Sequence, residues 1–420
     1  MGSWDDYFKK VSGEHSFFVY SALLIFANFS GSILGYCYHL VVARCGGQII
    51  YADFGVLLSI LSLLSVVSMA VQFYVCHLVL QATLHNQEAK FAIGRCLKKV
   101  FLLTFLGAII LSLVSKQLSF FLKIKQESAL LVLAFGAVVL FLSAVLRGGL
   151  LGLKKFGQLS VLRVVEALIQ LSAGWILVYA GYGASGAIGG TVLGLLIVFI
   201  SINQVVRPQW KTHKEVRHGD SRNTIYFSNV FLFLLFANVF INLDVLAAKH
   251  YFFHADAAQY IAASFMGRFL FLMALSIGMV LFPFTYSHDP DHQTTKTDVL
   301  FKAMKYFVMI ALPCILLAFV FKETIVNVFY GDGYLMTASI LPKMLFTNLL
   351  VGISFLTGLY ALSRNNSLVW LPFLCGTVAL FLVLLTPPPS IRFMADAMLI
   401  ISFFTTIISL AGLGLRLLSK

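Results

Sequence analysis

Long apolar runs, separated by short polar segments, repeat along the whole chain. About 20 apolar residues are enough for a helix to cross a bilayer, whereas a β-barrel would show short alternating strands. The pattern therefore predicts transmembrane helices, and it predicts twelve of them, at residues 17–43, 55–80, 99–115, 128–147, 157–180, 185–206, 223–248, 257–286, 300–321, 334–362, 366–386 and 393–415.

The two halves of the pattern resemble each other. His39-Leu-Val-Val-Ala-Arg44 and then Tyr51 follow the first helix, and Val245-Leu-Ala-Ala-Lys249 and then Tyr260 follow the seventh. Six plus six helices in parallel repeat is an architecture that transporters use for alternating access, with the substrate site between the repeats. Chance similarity among apolar helices is the alternative.

The most polar connection divides the chain nearly in half. We therefore predict an all-α polytopic membrane protein of about twelve transmembrane helices, in two six-helix lobes related by an internal repeat. The lobes are 1–206 and 223–420, and a basic cytoplasmic linker, 207–222, joins them.

Composition agrees with this class and excludes others. The chain is 60% apolar and 11% charged, against about 45–50% and about 25% in soluble domains. It lacks a G-x-x-x-x-G-K motif, which argues against an ATP-driven pump. Its cysteines are scattered singly, and His288-Asp-Pro-Asp-His292 is typical of a solvated turn. The prediction is a protein that is not an enzyme and uses no cofactor or metal.

The thirty basic residues indicate an orientation. With the N-terminus inside, twenty of them fall on inner segments and eight on outer ones, and Arg163 and Arg268 remain within spans. Cytoplasmic loops carry the excess of Lys and Arg, so both termini are predicted to be cytoplasmic. The net charge of +13 then reflects topology and anionic lipid rather than nucleic acid.

Short motifs follow in a fixed order along the predicted helices. They are Ala43-Arg44 before Tyr51-x-x-Phe54-Gly55, Leu146-Arg-Gly-Gly-Leu-Leu-Gly-Leu-Lys-Lys-Phe156, Gly181-Tyr-Gly-Ala-Ser-Gly-Ala187, Asp244 before Lys249 and Tyr260, Leu281-Phe-Pro283, and Phe329-Tyr-Gly-Asp-Gly-Tyr334. In these motifs the chain resembles the polysaccharide transporter branch of the multidrug/oligosaccharidyl-lipid/polysaccharide exporter superfamily, which includes the Wzx-type O-antigen flippases. The chain is short for that family and lacks the extra helix pair of its lipid II flippase branch.

The resemblance implies a function. A flippase of this branch moves an oligosaccharide on a polyprenyl pyrophosphate from the inner to the outer leaflet of the bacterial cytoplasmic (inner) membrane, for O-antigen-like polysaccharide and lipopolysaccharide. Membrane lipid, glycosyltransferases and a glycan polymerase of the same pathway are the implied partners, and nucleic acid is not. A cation-coupled multidrug exporter of the same superfamily is the first alternative. A membrane glycan polymerase or ligase is the second, although its large outer loop is missing here.

Two arginines within spans are candidates for holding the pyrophosphate, because a guanidinium matches phosphate geometry. Arg268 lies near the middle of the eighth predicted helix among bulky apolar residues, and the alternative is that it pairs with Asp244. Arg163 shares one face of the fifth with Glu166 and Gln170. Glu166 and Asp244 are candidates for ion or proton coupling, and a structural ion pair is the alternative for both.

Three asparagines within spans are weaker candidates, for the glycan. Asn28 lies in the first predicted helix, and Asn238 and Asn242 lie one turn apart in the seventh. Amide side chains hydrogen-bond to sugar hydroxyls, but they also join packed membrane helices, and this second interpretation remains open.

Overall fold

The computed structural model describes the backbone of residues 14–84, 89–153, 155–206, 222–286, 293–363 and 368–418. Some side chains within these ranges are outside the description, those of residues 14–25, 28 and 29 among them. The predicted linker 207–222, apart from Arg222, and the turn His288–His292 also lie outside the described residues.

Helices account for nearly all of the described chain. The first helical element, Glu14–Leu84, divides at Gly47 into α1 (14–46) and α2 (48–84), because Gly47 has φ 74° and ψ 178°, a conformation that suits glycine. The other helices are α3 (Ala89–Leu113), α4 (Ser115–Phe121), α5 (Ser128–Gly152), α6 (Phe156–Leu177), α7 (Gly183–Val206), α8 (Arg222–Tyr251), α9 (His254–Tyr286), α10 (Gln293–Val320), α11 (Lys322–Tyr330), α12 (Leu335–Ser363), α13 (Leu371–Leu384) and α14 (Ile391–Leu418).

Twelve of these helices coincide with the twelve predicted spans. Nine described segments are long and apolar enough to cross a membrane, and two of them, Ser30–Cys76 and Phe156–Gln204, each contain two helices. The helix α13 is a shorter apolar one. The sequence did not predict α4 and α11, each of which follows the third spanning helix of its half. The predicted all-α fold of a multi-pass membrane protein is confirmed.

Within each half the helices pack mainly on one another: α5 packs on α2, α3 and α7, and α12 packs on α9, α10 and α14. The halves meet where α1 and α2 contact α8 and α9. One apolar cluster crosses this boundary, and it includes Tyr51, Phe54, Ile261 and Tyr330. The core is therefore continuous between the two halves.

Glycines allow α6 and α7 to approach closely. A Cβ atom on Gly190 would lie 2.4 Å from the Cα atom of Gly174, and one on Gly194 would lie 2.9 Å from the backbone oxygen of Glu166. Both glycines of α7 therefore meet the α6 backbone itself, which has no flexible side chain to move aside.

We expect Gly190→Ala to destabilise the protein, because overpacking a close contact typically costs about 1–3 kcal/mol. The melting temperature of the purified protein in detergent measures the effect. Gly189→Ala is the matched control, since a Cβ at Gly189 would meet only Leu177 at an ordinary 3.5 Å. Equal melting temperatures for the two variants would contradict the close approach.

Candidate functional site

Three groups of charged side chains and their polar partners lie inside the part of the bundle that the structure describes, beside a more exposed pair, Lys343 with Asp396. The start of α1 and the end of α14 lie on one face of the bundle, which we call the proximal face, and we call the opposite one the distal face. The central network comprises Asn238, Asn242, Asp244 and Arg268 with Ser62. The arginine triad comprises Arg147, Arg163 and Glu166. The distal latches are Arg44 and Lys249 with the groups that they contact across the two halves.

Arg268 of α9 lies at the centre of the central network. Its Nη1 donates a hydrogen bond to the Asn242 side-chain oxygen at 3.0 Å, and its Nη2 donates to the Ile241 backbone oxygen at 2.6 Å. Nη2 also lies 3.4 Å from an Asp244 carboxylate oxygen, and the guanidinium carbon lies 4.5 Å from the Phe265 ring centre. The expectation that Arg268 has only apolar neighbours is wrong, because α8 supplies its partners.

Asp244 is almost fully buried and its carboxylate accepts several hydrogen bonds. Tyr260 and Ser264 donate their hydroxyls to one oxygen at 3.2 and 2.9 Å, and the Val245 backbone N–H donates to the other at 2.7 Å. Asp244 is therefore shielded from water, since only 2% of its side chain is exposed. The pairing of Asp244 with Arg268 agrees with the structural alternative.

The two asparagines of α8 face the other half of the protein. Asn242 donates its side-chain N–H to the Ser62 hydroxyl at 3.2 Å, and the Ser62 hydroxyl donates to the Asn238 side-chain oxygen at 3.4 Å. These bonds join α8 to α2. The amides of Asn238 and Asn242 therefore connect packed helices, which was the alternative to sugar binding. The side chain of Asn28 lies outside the described ones.

The arginine triad lies in the first half, toward the proximal face. The Arg147 Nη2 atom lies 2.7 Å from a Glu166 carboxylate oxygen, and the Arg163 Nη1 atom lies 3.4 Å from the same oxygen. Gln170, on the same face of α6, donates instead to Thr191 of α7 at 3.2 Å. One carboxylate is thus shared by two guanidinium groups, and the triad carries an excess positive charge.

Arg163 is exposed on the side of α6 that faces away from lipid. Val161, Leu168 and Trp175, spaced seven residues apart, are 62%, 48% and 53% exposed and mark the lipid face. Arg163 lies about 200° around the helix from Val161, and it packs against Gly31 of α1. Its side chain is nevertheless 46% exposed. Because a charge facing lipid costs roughly 2.5–3.5 kcal/mol at the bilayer centre, this exposure indicates a polar space inside the bundle.

The distal latches connect the two halves in both directions. Lys249, at the end of α8, lies 2.5 Å from an Asp53 carboxylate oxygen of α2, and both side chains are at most 2% exposed. Arg44, at the end of α1, donates from Nε to the Phe329 backbone oxygen at 3.1 Å and from Nη2 to the Asn327 backbone oxygen at 3.3 Å. These two contacts join the halves at the distal face.

In each sequence repeat, a tyrosine hydroxyl lies near a polar side chain of the preceding helix. The Tyr51 hydroxyl lies 3.5 Å from the Nδ1 atom of His39, and the Tyr260 hydroxyl donates to Asp244 at 3.2 Å. Arg44 follows His39 by five residues, as Lys249 follows Asp244 by five. The equivalent basic residue of each repeat therefore contacts the opposite half.

Five residues of these groups were not predicted as site residues: Arg44, Asp53, Ser62, Arg147 and Lys249. Arg147 and Lys249, at the end of span 128–147 and just after span 223–248, were counted with the loop charges, but α5 continues to Gly152 and α8 to Tyr251. Asp53 lies within the Tyr51-x-x-Phe54-Gly55 motif and was given no role of its own. The sequence could have indicated Asp53, because an acidic side chain beside a long apolar run requires a partner.

Comparisons with known proteins agree with this fold. A family described as "Polysaccharide biosynthesis protein" matches residues 49–339. No curated protein matches the chain significantly.

Solved transporters match it in structure. An inward-facing multidrug resistance MATE family transporter of the MOP superfamily has a TM-score of 0.75 and 14% identity, over 91% of this chain and 94% of that one. The lipid II flippase MurJ, in an inward closed conformation, has a TM-score of 0.71 and 16% identity, over 94% and 87%. A MOP superfamily transporter from Pyrococcus furiosus has a TM-score of 0.69 and 13% identity, over 94% and 95%. At these identities the similarity establishes the fold.

Proposed function

This chain belongs to the polysaccharide biosynthesis protein family, and from that premise we propose that it is a flippase for a lipid-linked oligosaccharide. The substrate is a glycan on a polyprenyl pyrophosphate, and it moves from the inner to the outer leaflet of a bacterial cytoplasmic membrane. The proximal face, with both termini, is then cytoplasmic. The glycan serves an O-antigen-like surface polysaccharide, whose glycosyltransferases and polymerase are the proposed partners.

The observation that carries this proposal is the charge balance of the three groups. Asp53 is paired with Lys249, and Asp244 is paired with Arg268. Arg44 contacts backbone oxygens at the distal face and keeps its charge. Glu166 is shared by two arginines, so a second positive charge is left over, and the exposed Arg163 carries it. An anionic pyrophosphate complements this charge. An exporter of cationic drugs would instead need an unpaired carboxylate.

We assign the first contact with the pyrophosphate to Arg163. It lies about 10 Å along α6 from the start of that helix at the proximal face, so a headgroup that enters from the cytoplasm reaches it early. Arg268 is the second candidate, because its Nε makes no hydrogen bond to any residue that the structure describes. Asn238 and Asn242 would contact sugars once their bonds to Ser62 break.

Opening toward the outer leaflet requires the distal latches to separate. Glu166 and Asp244 remain candidates for proton coupling in this step. A proton on either carboxylate would weaken its hold on an arginine, and the freed guanidinium could then turn to the substrate or away from it.

Deleting the gene tests the proposed function. Without the flippase, surface glycan should be absent and its lipid-linked repeat unit should accumulate on the cytoplasmic side, where glycosidases reach it only in inverted vesicles. Re-expression of the intact chain should restore surface glycan. Normal surface glycan together with new sensitivity to cationic dyes would favour drug export instead.

A further inference from the structure

A cavity of about 520 Å³ opens at the distal face, between the end of α1, the helix α11 and the start of α12. Small-molecule sites commonly occupy about 300–1,000 Å³. The cavity lies apart from the central network and the arginine triad, and the proposed function does not use it. Its polar lining comprises Arg44, Glu323, Thr324, Asn327 and Tyr334.

The polar groups of this lining mix hydrogen-bond donors with acceptors. Glu323 and Asn327 lie four residues apart on α11, and both line the cavity with Thr324 between them. The carboxylate accepts only, whereas the amide and the hydroxyl both donate and accept. Arg44 contacts backbone oxygens of α11 through Nε and Nη2, while its Nη1 makes no hydrogen bond to the part of the chain that the structure describes.

Tyr334 adds an independent observation. It lines the same cavity, only 3% of it is exposed, and its hydroxyl has no hydrogen-bond partner among the described residues. Buried hydroxyls in proteins are nearly always hydrogen-bonded, so a buried hydroxyl that lacks a partner needs an explanation. The hydroxyl oxygen is shielded from the cavity in this state, so a ligand would supply the partner after the Tyr334 ring turns toward it.

We propose that this cavity binds a sugar ring of the transported glycan after the glycan has reached the outer leaflet and the distal latches have closed again. A sugar offers alternating hydroxyl donors and acceptors, which the mixed lining matches. The single carboxylate offsets the single guanidinium, so the lining favours neither a phosphate nor a metal ion. This inference rests on the proposed function, because that function supplies the glycan.

Protection of a cysteine reporter tests the site. Leu335 lines the cavity and is 76% exposed, so Leu335→Cys can report on the cavity without removing a polar group. Thr386, exposed between α13 and α14, gives the matched control Thr386→Cys. Both are made in full-length protein with Cys45→Ser, because Cys45 is exposed. The probe is the oligosaccharide released by mild acid from the host's own surface polysaccharide, and inorganic phosphate is the comparison.

The oligosaccharide should slow maleimide labelling of Leu335→Cys severalfold and saturably, leave Thr386→Cys unchanged, and lose its effect when Glu323→Gln is added. Unchanged labelling of Leu335→Cys in a protein that still restores surface glycan would overturn the site, and so would protection by phosphate alone. Protection in a protein whose gene deletion leaves surface glycan normal would keep the site and remove the flippase function. The two proposals can therefore fail separately.

Discussion

Arg163→Ala is expected to lower the export of lipid-linked glycan roughly tenfold to a hundredfold, because a hydrogen bond to a charged group is worth about 1.5–3 kcal/mol. The protein should still accumulate in the membrane, since Glu166 keeps its closer partner Arg147 at 2.7 Å. The measurement is the amount of surface glycan in a strain that lacks the chromosomal gene, normalised to the amount of protein in the membrane.

Two further variants separate a binding role from a structural one. Arg163→Lys keeps a charge but loses the planar fork of the guanidinium, so it should restore export in part. Val161→Ala, on the lipid face of the same helix, should have little effect on export. If Arg163→Ala exports glycan at the wild-type rate, the excess charge of the triad does not serve the substrate.

Lys249→Met is expected to cost about 3–5 kcal/mol of stability, because it leaves the Asp53 carboxylate charged, buried and without its ion-pair partner. The nearest remaining contact of that carboxylate is the Lys125 backbone N–H, which donates to its second oxygen at 3.1 Å. A large drop in the melting temperature of the purified protein, or in its yield from membranes, would report the loss.

The double variant Lys249→Met with Asp53→Leu provides the control. Well-packed apolar residues often replace a buried ion pair without loss of stability, so the double variant should recover most of the melting temperature. It should also favour the state with an open distal face, because one of the two latches is gone. That change would appear as faster labelling of a cysteine introduced at Tyr51, which is fully buried here. A single variant as stable as the wild type would show that the pair carries little energy.

The sequence predicted the helices well because each is a long apolar segment. Such a segment is stable as a helix in lipid whichever helices pack beside it. The sequence could not predict which charged residues meet. Asp53 and Lys249 are nearly two hundred positions apart, and their contact depends on how the two halves pack. The short helix α11 was missed for a related reason, because its polar residues resemble those of a loop.

In the candidate site, contacts between residues close in sequence could be predicted, and contacts between helices could not. Arg163 and Glu166 are close in sequence, so their spacing on one helix already indicated a contact. Arg268 was singled out because a charged residue within a span requires a partner or a function. Its partners come from α8 through tertiary packing. The residues next to Arg268 in the sequence therefore could not predict which groups it contacts.

The crossed pattern of the distal latches resembles the interface of a symmetric dimer. In a homodimer with twofold symmetry, residue i of one subunit contacts residue j of its partner, and residue j of the first contacts residue i of the second. Arg44 and Lys249 hold equivalent places in the repeat, and each reaches into the other half. In a symmetric dimer of two six-helix subunits, one basic residue, present once in each subunit, would close the same face. Within one chain the two positions need not be identical, and here one holds a carboxylate and the other a helix end.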